Sequence, residues 1–137
     1  GTDGAKMSKS YNNTIDMFGT AKTIKKQVMG IVTDSKELNE PKEWENCNIY
    51  TLCKLFMNED ELANLRVRYA TPGEGYGHFK MTLLEKINTH FEPYAQKREY
   101  YLNNPKKVKE ILAFGASKAR KIASAKMEII RDAVGLI

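Results

Sequence analysis

The chain is poor in cysteine: Cys47 and Cys53 are the only two. That excludes a disulfide scaffold and leaves nothing from which to build a zinc box. Six residues apart, they would sit roughly two turns apart on a helix, too far to bridge, so they read as buried or idle thiols. Histidine is equally scarce. His78 and His90 stand far apart with no partner pattern, which argues against a catalytic role for either. Trp44, the single tryptophan, reads as a packing residue where a loop meets a helix. No apolar run approaches the roughly 20 residues that span a bilayer, and no signal peptide opens the chain. There is no convincing strand pattern, no internal repeat and no low-complexity tract, and no cluster of residues suggests a metal site.

What is present is the composition of an ordered domain. The 137 residues are 42% apolar and 28% charged, enough to bury a core and too balanced for disorder. The net charge of +5 is unevenly spread. Residues 1–36 hold six basic against three acidic residues, residues 37–104 eight against eleven, and residues 105–137 eight against three. Basic ends around an acidic middle suit a polyanionic partner, although an ordinary solvated helix surface would read the same way.

The periodicity predicts helices throughout. The chain opens in turn chemistry at Gly1-Thr2-Asp3-Gly4, continued by Ser8, Ser10, Asn12 and Asn13. From Thr20, Ile24, Val28 and Ile31 mark one helix, which Thr33-Asp34-Ser35 should end. A second helix should run from about Asn48 to Met57 with Ile49, Leu52, Leu55 and Phe56 on one stripe. Asn58 with Glu61 three residues on reads as a capping box that starts a third, carrying Leu62, Leu65 and Tyr69. After the glycine-rich breaker 71–77, a long helix places Phe79, Leu83, Ile87, Phe91 and Tyr94 on one face, and Pro93 inside it predicts a kink near Asn88–Phe91 rather than a stop. Asn104 and Pro105 should open another helix with Val108, Ile111 and Leu112 turned inward. Gly115 should close it and Ser117 should cap a last one, whose apolar face holds Ala119, Ile122, Ala123, Ile129, Ile130 and Ala133. The expected architecture is an all-α helical bundle of five or six helices, preceded by a flexible lysine-rich loop.

The stretch Lys6-Met7-Ser8-Lys9-Ser10 carries the most chemistry. Two ammonium groups, two hydroxyls and exposed backbone N–H groups on one loop can wrap a polyphosphate. Where pyrophosphate departs, charge grows on its oxygens, and lysines placed there act on the transition state. The string KMSKS is also the second signature of class I aminoacyl-tRNA synthetases. Around it, Tyr11-Asn12-Asn13-Thr14-Ile15, Ile31-Val32-Thr33-Asp34-Ser35, Asn48 through Phe56, Gly75-Tyr76-Gly77-His78-Phe79-Lys80 and Gly115-Ala116-Ser117-Lys118-Ala119-Arg120 resemble segments of the bacterial-type tryptophanyl-tRNA synthetase family. In that family glycine is common at the place of Asn12. The resemblance covers nearly the whole chain.

The resemblance implies the C-terminal part of a tryptophan–tRNA ligase. Residues 1–19 would be the KMSKS loop and linker, and residues 20–137 the helical anticodon-recognition domain. The Rossmann catalytic domain, with its His-x-Gly-His-type signature and tryptophan pocket, is not in this sequence. Lys6 and Lys9 would be catalytic, stabilising the leaving pyrophosphate, with Lys9 the more direct ATP contact. Met7, Ser8 and Ser10 would complete the ATP-binding set. Lys106, Lys107, Lys109, Lys118, Arg120 and Lys121 are candidate RNA contacts. The implied substrates are ATP with Mg2+, tryptophan and tRNA(Trp), without a tightly bound cofactor. The location would be cytoplasmic, with no membrane partner. The parent would be a homodimer, and the piece a monomer, inactive by itself, with residues 1–13 loosely held. The tyrosyl enzyme and a stand-alone basic helical RNA-binding module are the alternatives.

Overall fold

The structure, a computed structural model, describes residues 1–136. Among them there are five α-helices, one short 3-10 turn at Lys9–Tyr11 and no strand. The helices are α1 (Ala21–Met29), α2 (Asn48–Cys53), α3 (Glu59–Ala70), α4 (Tyr76–Asn103) and α5 (Pro105–Ala133). The chain divides into two compact units, Gly1–Pro93 and Tyr94–Ile137.

Unit 1 holds the core. The Thr20 hydroxyl accepts from the Thr23 amide and caps α1, which buries Ile24 and Val28. The helix stops at Gly30, several residues before Thr33-Asp34-Ser35. Ile31 is still buried, but from the irregular segment that follows. α2 is also shorter than its apolar stripe. Beyond Cys53 the chain tightens, with the Leu55 amide bonded to the Leu52 carbonyl and the Phe56 amide to that of Cys53. This overwinding swings Leu55 out to 69% exposure, while Phe56 stays packed against the core.

The capping box of α3 forms as the sequence predicts. The Asn58 side chain accepts from the Glu61 amide at 2.9 Å, and Glu61 accepts from the Asn58 amide at 3.0 Å. It aims Leu62, Leu65 and Tyr69 inward. Tyr69 stacks on Phe79 of α4 with ring centroids 4.0 Å apart. Phe79, Leu83, Leu84 and Ile87 are the buried residues of α4. Gly73, at φ +103, makes the turn before it and donates to the Leu38 carbonyl. Arg68 binds Glu74 through Nε and Nη2, a fork-to-carboxylate contact that holds this turn against α3. Lys42 is buried, and its ammonium donates to the Glu37 and Glu40 carbonyls at 2.9 Å each. That satisfies a charge that would otherwise be costly to bury.

Unit 2 differs from its expectation in two ways. Gly115 does not end a helix and Ser117 does not cap one: α5 runs unbroken through both. A lone glycine inside a helix costs only about 1 kcal/mol relative to alanine. The good helix formers on both sides carry it. Second, no residue of α5 is buried. Ile122 is 75% exposed and Leu112 65%, whereas the apolar stripe implied covered residues. Asn104 stands at the N-cap with Pro105 after it, but its side-chain amide donates back to the Tyr100 carbonyl instead of capping. α4 passes through Pro93 as a helix, and the division between the units falls there.

Candidate functional site

The lysine loop belongs to unit 1 and is built around one side chain. Asn13 is 1% exposed, an unusual burial for a loop amide. Its Oδ1 accepts from the Ser8 amide at 2.7 Å. Its Nδ2 donates to the Asp3 carboxylate at 2.9 Å and to the Lys6 carbonyl at 3.1 Å. Asp3 Oδ1 also accepts from the Ala5 amide at 3.0 Å. The Asn13 hydrogen bond, with a smaller contribution from the Ala5 amide, holds the Asp3 carboxyl below its usual range against the opposing effect of desolvation. Behind the loop, the Thr2 amide donates to the Asn13 carbonyl and the Val32 amide to that of Thr2. Residues 1–13 are therefore folded back on themselves.

Two backbone positions complete the turn. Gly4 has φ +86, and a Cβ there would lie 2.7 Å from Asn48 Oδ1, so only glycine fits. Asn12 is left-handed at φ 51, ψ 27, closing the 3-10 turn Lys9–Tyr11. Left-handed geometry is tolerated by asparagine and is easiest for glycine.

On this frame Lys6, Met7, Lys9 and Ser10 are exposed and Ser8 is half-buried. Among the described residues neither Lys6 nor Lys9 has a carboxylate partner. Two free ammonium groups on a backbone held from behind are suited to a mobile polyanion arriving from solvent. A groove beside the loop is lined by Lys22 and Lys26 of α1 together with Thr14 and Thr23. The candidate RNA contacts, Lys106, Lys107, Lys109, Lys118, Arg120 and Lys121, lie on α5 in the other unit, all exposed.

The remaining chemistry is packing. His90 meets Phe56 and Phe91 edge-on. Tyr100 and Tyr101 meet each other edge-to-face at 5.3 Å. Cys47 Sγ lies 3.4 Å from the Tyr69 hydroxyl, and both cysteines are buried and free. Burial pushes the Cys53 thiol up to about 12, with Cys47 adding to the shift. Among the described residues no three His, Cys, Asp or Glu side chains are gathered as for a metal, and no helix is long and apolar enough to cross a membrane.

Sequence reasoning singled out the lysines and missed Asp3 and Asn13. They read as generic turn residues, since nothing local distinguishes a solvated loop asparagine from a buried one.

The family model described as tRNA synthetases class I (W and Y) matches residues 1–129. A tryptophan–tRNA ligase of Campylobacter jejuni is 54% identical over 136 residues, covering 99% of this chain and 43% of that protein. One from Fusobacterium nucleatum is 47% identical over 137 residues, covering 42% of its length. The crystal structure of the Campylobacter jejuni tryptophanyl-tRNA synthetase complexed with ADP and tryptophan superposes with a TM-score of 0.94 over 98% of this chain and 42% of that one. The chain thus spans about two fifths of the length of these relatives. With a matching model over nearly its whole length and a KMSKS loop held on an all-helical unit, the chain belongs to the class I tRNA synthetases of the tryptophan and tyrosine family.

Proposed function

We propose that this chain is the C-terminal part of a tryptophan–tRNA ligase. The enzyme activates tryptophan with ATP, giving tryptophanyl-adenylate and pyrophosphate, and passes the amino acid to the 3′ end of tRNA(Trp). The observation that carries this reading is the KMSKS string on a loop whose two lysines are exposed and, among the described residues, without a carboxylate partner, in a chain 54% identical to a ligase of that name. Residues 1–19 serve the nucleotide and residues 20–137 form the anticodon-recognition part. ATP brings Mg2+ as its counter-ion. The complete enzyme is a cytoplasmic homodimer.

The chemistry follows from charge. The tryptophan carboxylate attacks the α-phosphate, and the bond to the β-phosphate breaks. Negative charge then accumulates on the departing pyrophosphate. In water an ammonium 4 Å from a phosphate oxygen is worth about 1 kcal/mol, and about 4 kcal/mol near a protein surface where the effective dielectric is lower. Lys6 and Lys9 therefore contribute most where the loop meets the phosphates and water is excluded. That contribution is greatest as the leaving charge develops. Ser8 and Ser10 hydroxyls and nearby amides donate to the same oxygens. On α5, Lys106, Lys107, Lys109, Lys118, Arg120 and Lys121 are read as contacts to the RNA backbone.

The test is tryptophan-dependent ATP–pyrophosphate exchange by the full-length ligase with Lys9→Ala. A loss of about 10²–10³-fold with tRNA affinity little changed is expected, the size seen when one preorganised transition-state donor is removed. Exchange at the unaltered rate would overturn the role given to Lys9.

A further inference from the structure

Asn13 holds more of the lysine loop than any other side chain. A buried amide has one acceptor and two donor hydrogens to satisfy, and here all are used on three points spread along the loop: Asp3, Lys6 and Ser8. Two of them are backbone groups of the motif itself, one at the first lysine and one immediately before the second. The third is a carboxylate that in turn holds the Ala5 amide. Gly1 lies so close that a Cβ there would fall 2.6 Å from Asn13 Nδ2, so the amide is enclosed on that side as well. The two lysine side chains, by contrast, have no carboxylate partner among the described residues. Their Cα positions are set from below and their ammonium groups are left to the ligand.

We propose that Asn13 is the positioning residue of the lysine loop, its amide joined to Asp3 as a clasp that holds the backbone at Lys6 and Ser8 in the register needed to receive the polyphosphate. The proposal rests on the reading of Lys6 and Lys9 as pyrophosphate ligands. Asn13 touches no reacting atom; it acts through the backbone. A displacement of about 1 Å in such a frame can cost 10²-fold in rate. The cost should fall on the step that moves charge onto pyrophosphate and spare tryptophan binding.

The experiment compares four forms of the full-length ligase by tryptophan-dependent ATP–pyrophosphate exchange: the unaltered enzyme, Lys9→Ala, Asn13→Asp, and Asp3→Asn combined with Asn13→Asp. Asn13→Asp keeps the acceptor for Ser8, loses both donated bonds and faces the Asp3 carboxylate. It should lower kcat by about 30-fold while the KM for tryptophan stays within about twofold. The double variant exchanges the two partners, so an amide at position 3 again donates to a carboxylate at position 13, while the bond to the Lys6 carbonyl stays lost. It should recover at least about threefold of the loss, a rescue that a merely structural defect would not show. Exchange at the unaltered rate in Asn13→Asp overturns the proposal. So does a double variant no faster than Asn13→Asp with its tryptophan KM intact. Should Asn13→Asp fail to fold, the double variant decides alone: exchange within about tenfold of the unaltered enzyme supports the clasp, and a loss as large as that of Lys9→Ala overturns it. If Lys9→Ala exchanges normally, the pyrophosphate reading falls and the clasp with it. If Lys9→Ala is slow and Asn13→Asp is not, only the clasp falls.

Discussion

Unit 1 and unit 2 are both helical, yet they are held together differently. Unit 1 has a core in which Val28, Ile49, Cys53, Tyr69, Phe79 and Leu83 are wholly buried, each supplied by a different stretch of chain or a different turn. Unit 2 carries apolar residues at helical spacing along α5, and none is buried. Periodicity is thus necessary for burial without being sufficient. An apolar stripe says which side of a helix would be covered; whether anything covers it depends on residues elsewhere. Among the described residues α5 buries no side chain, while the helices of unit 1 are packed on one another.

The sharpest way to break that contrast is to delete a large side chain from each unit. Phe79→Ala removes a fully buried ring stacked on Tyr69 and should cost about 3–5 kcal/mol in chemical denaturation. Ile122→Ala removes a side chain that is 75% exposed and should change stability by no more than about 0.5 kcal/mol. Similar costs at the two positions would mean that the units are not differently held.

Glycines sharpen the comparison at a smaller scale. In unit 1, Gly73 sits at φ +103, so Gly73→Ala strains the turn before α4 and should lower stability by about 1 kcal/mol or more. In unit 2, nothing lies within 4 Å of a Cβ added at Gly115. Gly115→Ala should therefore stabilise α5 by up to about 1 kcal/mol, read as a higher thermal midpoint by circular dichroism. Opposite signs at the two positions are the expected result, and the same sign at both would refute this account of α5.

The smallest effect concerns acid. The Arg68 guanidinium beside Glu74 holds that carboxyl below its ordinary value of 4.5. A carboxyl depressed in the folded state adds stability that is fully present above pH 4.5 and is lost as pH falls through the folded value. Arg68 and Glu74 side chains are 39% and 26% exposed, so solvent screening keeps the contribution below about 1 kcal/mol. Glu74→Gln should flatten the decline in thermal midpoint between pH 5 and pH 3 by that amount. An unchanged pH profile in the variant would show that the pair adds nothing to the turn.

Much of unit 1 was legible because its signals are local. Asn58 announces a helix start through a side chain that reaches a backbone amide three residues away, and that cap forms; the structure adds a second cap of the same reach at Thr20. The face of α4 was equally plain from Phe79, Leu83 and Ile87. The ends of α1 and α2 were less so. Ile31 and Leu55 continue an apolar period past the last helical residue, and periodicity cannot register that the backbone has already changed its winding. Gly115 failed as a stop signal for a related reason: one glycine is a modest local penalty, and the neighbouring residues outweigh it.

At the candidate site the division is the same. The residues Lys6 to Ser10 and their resemblance to a synthetase loop could be read directly, as could the basic ends of the chain. Contacts between neighbours in sequence follow rules that a string of letters obeys: capping, helical period, turn chemistry. The burial of Asn13 among Asp3, Lys6 and Ser8, and the openness of the apolar stripe on α5, were decided only by the tertiary structure. An amide's solvation and a helix face's partner are properties of what the rest of the chain brings near them, and no local pattern contains that.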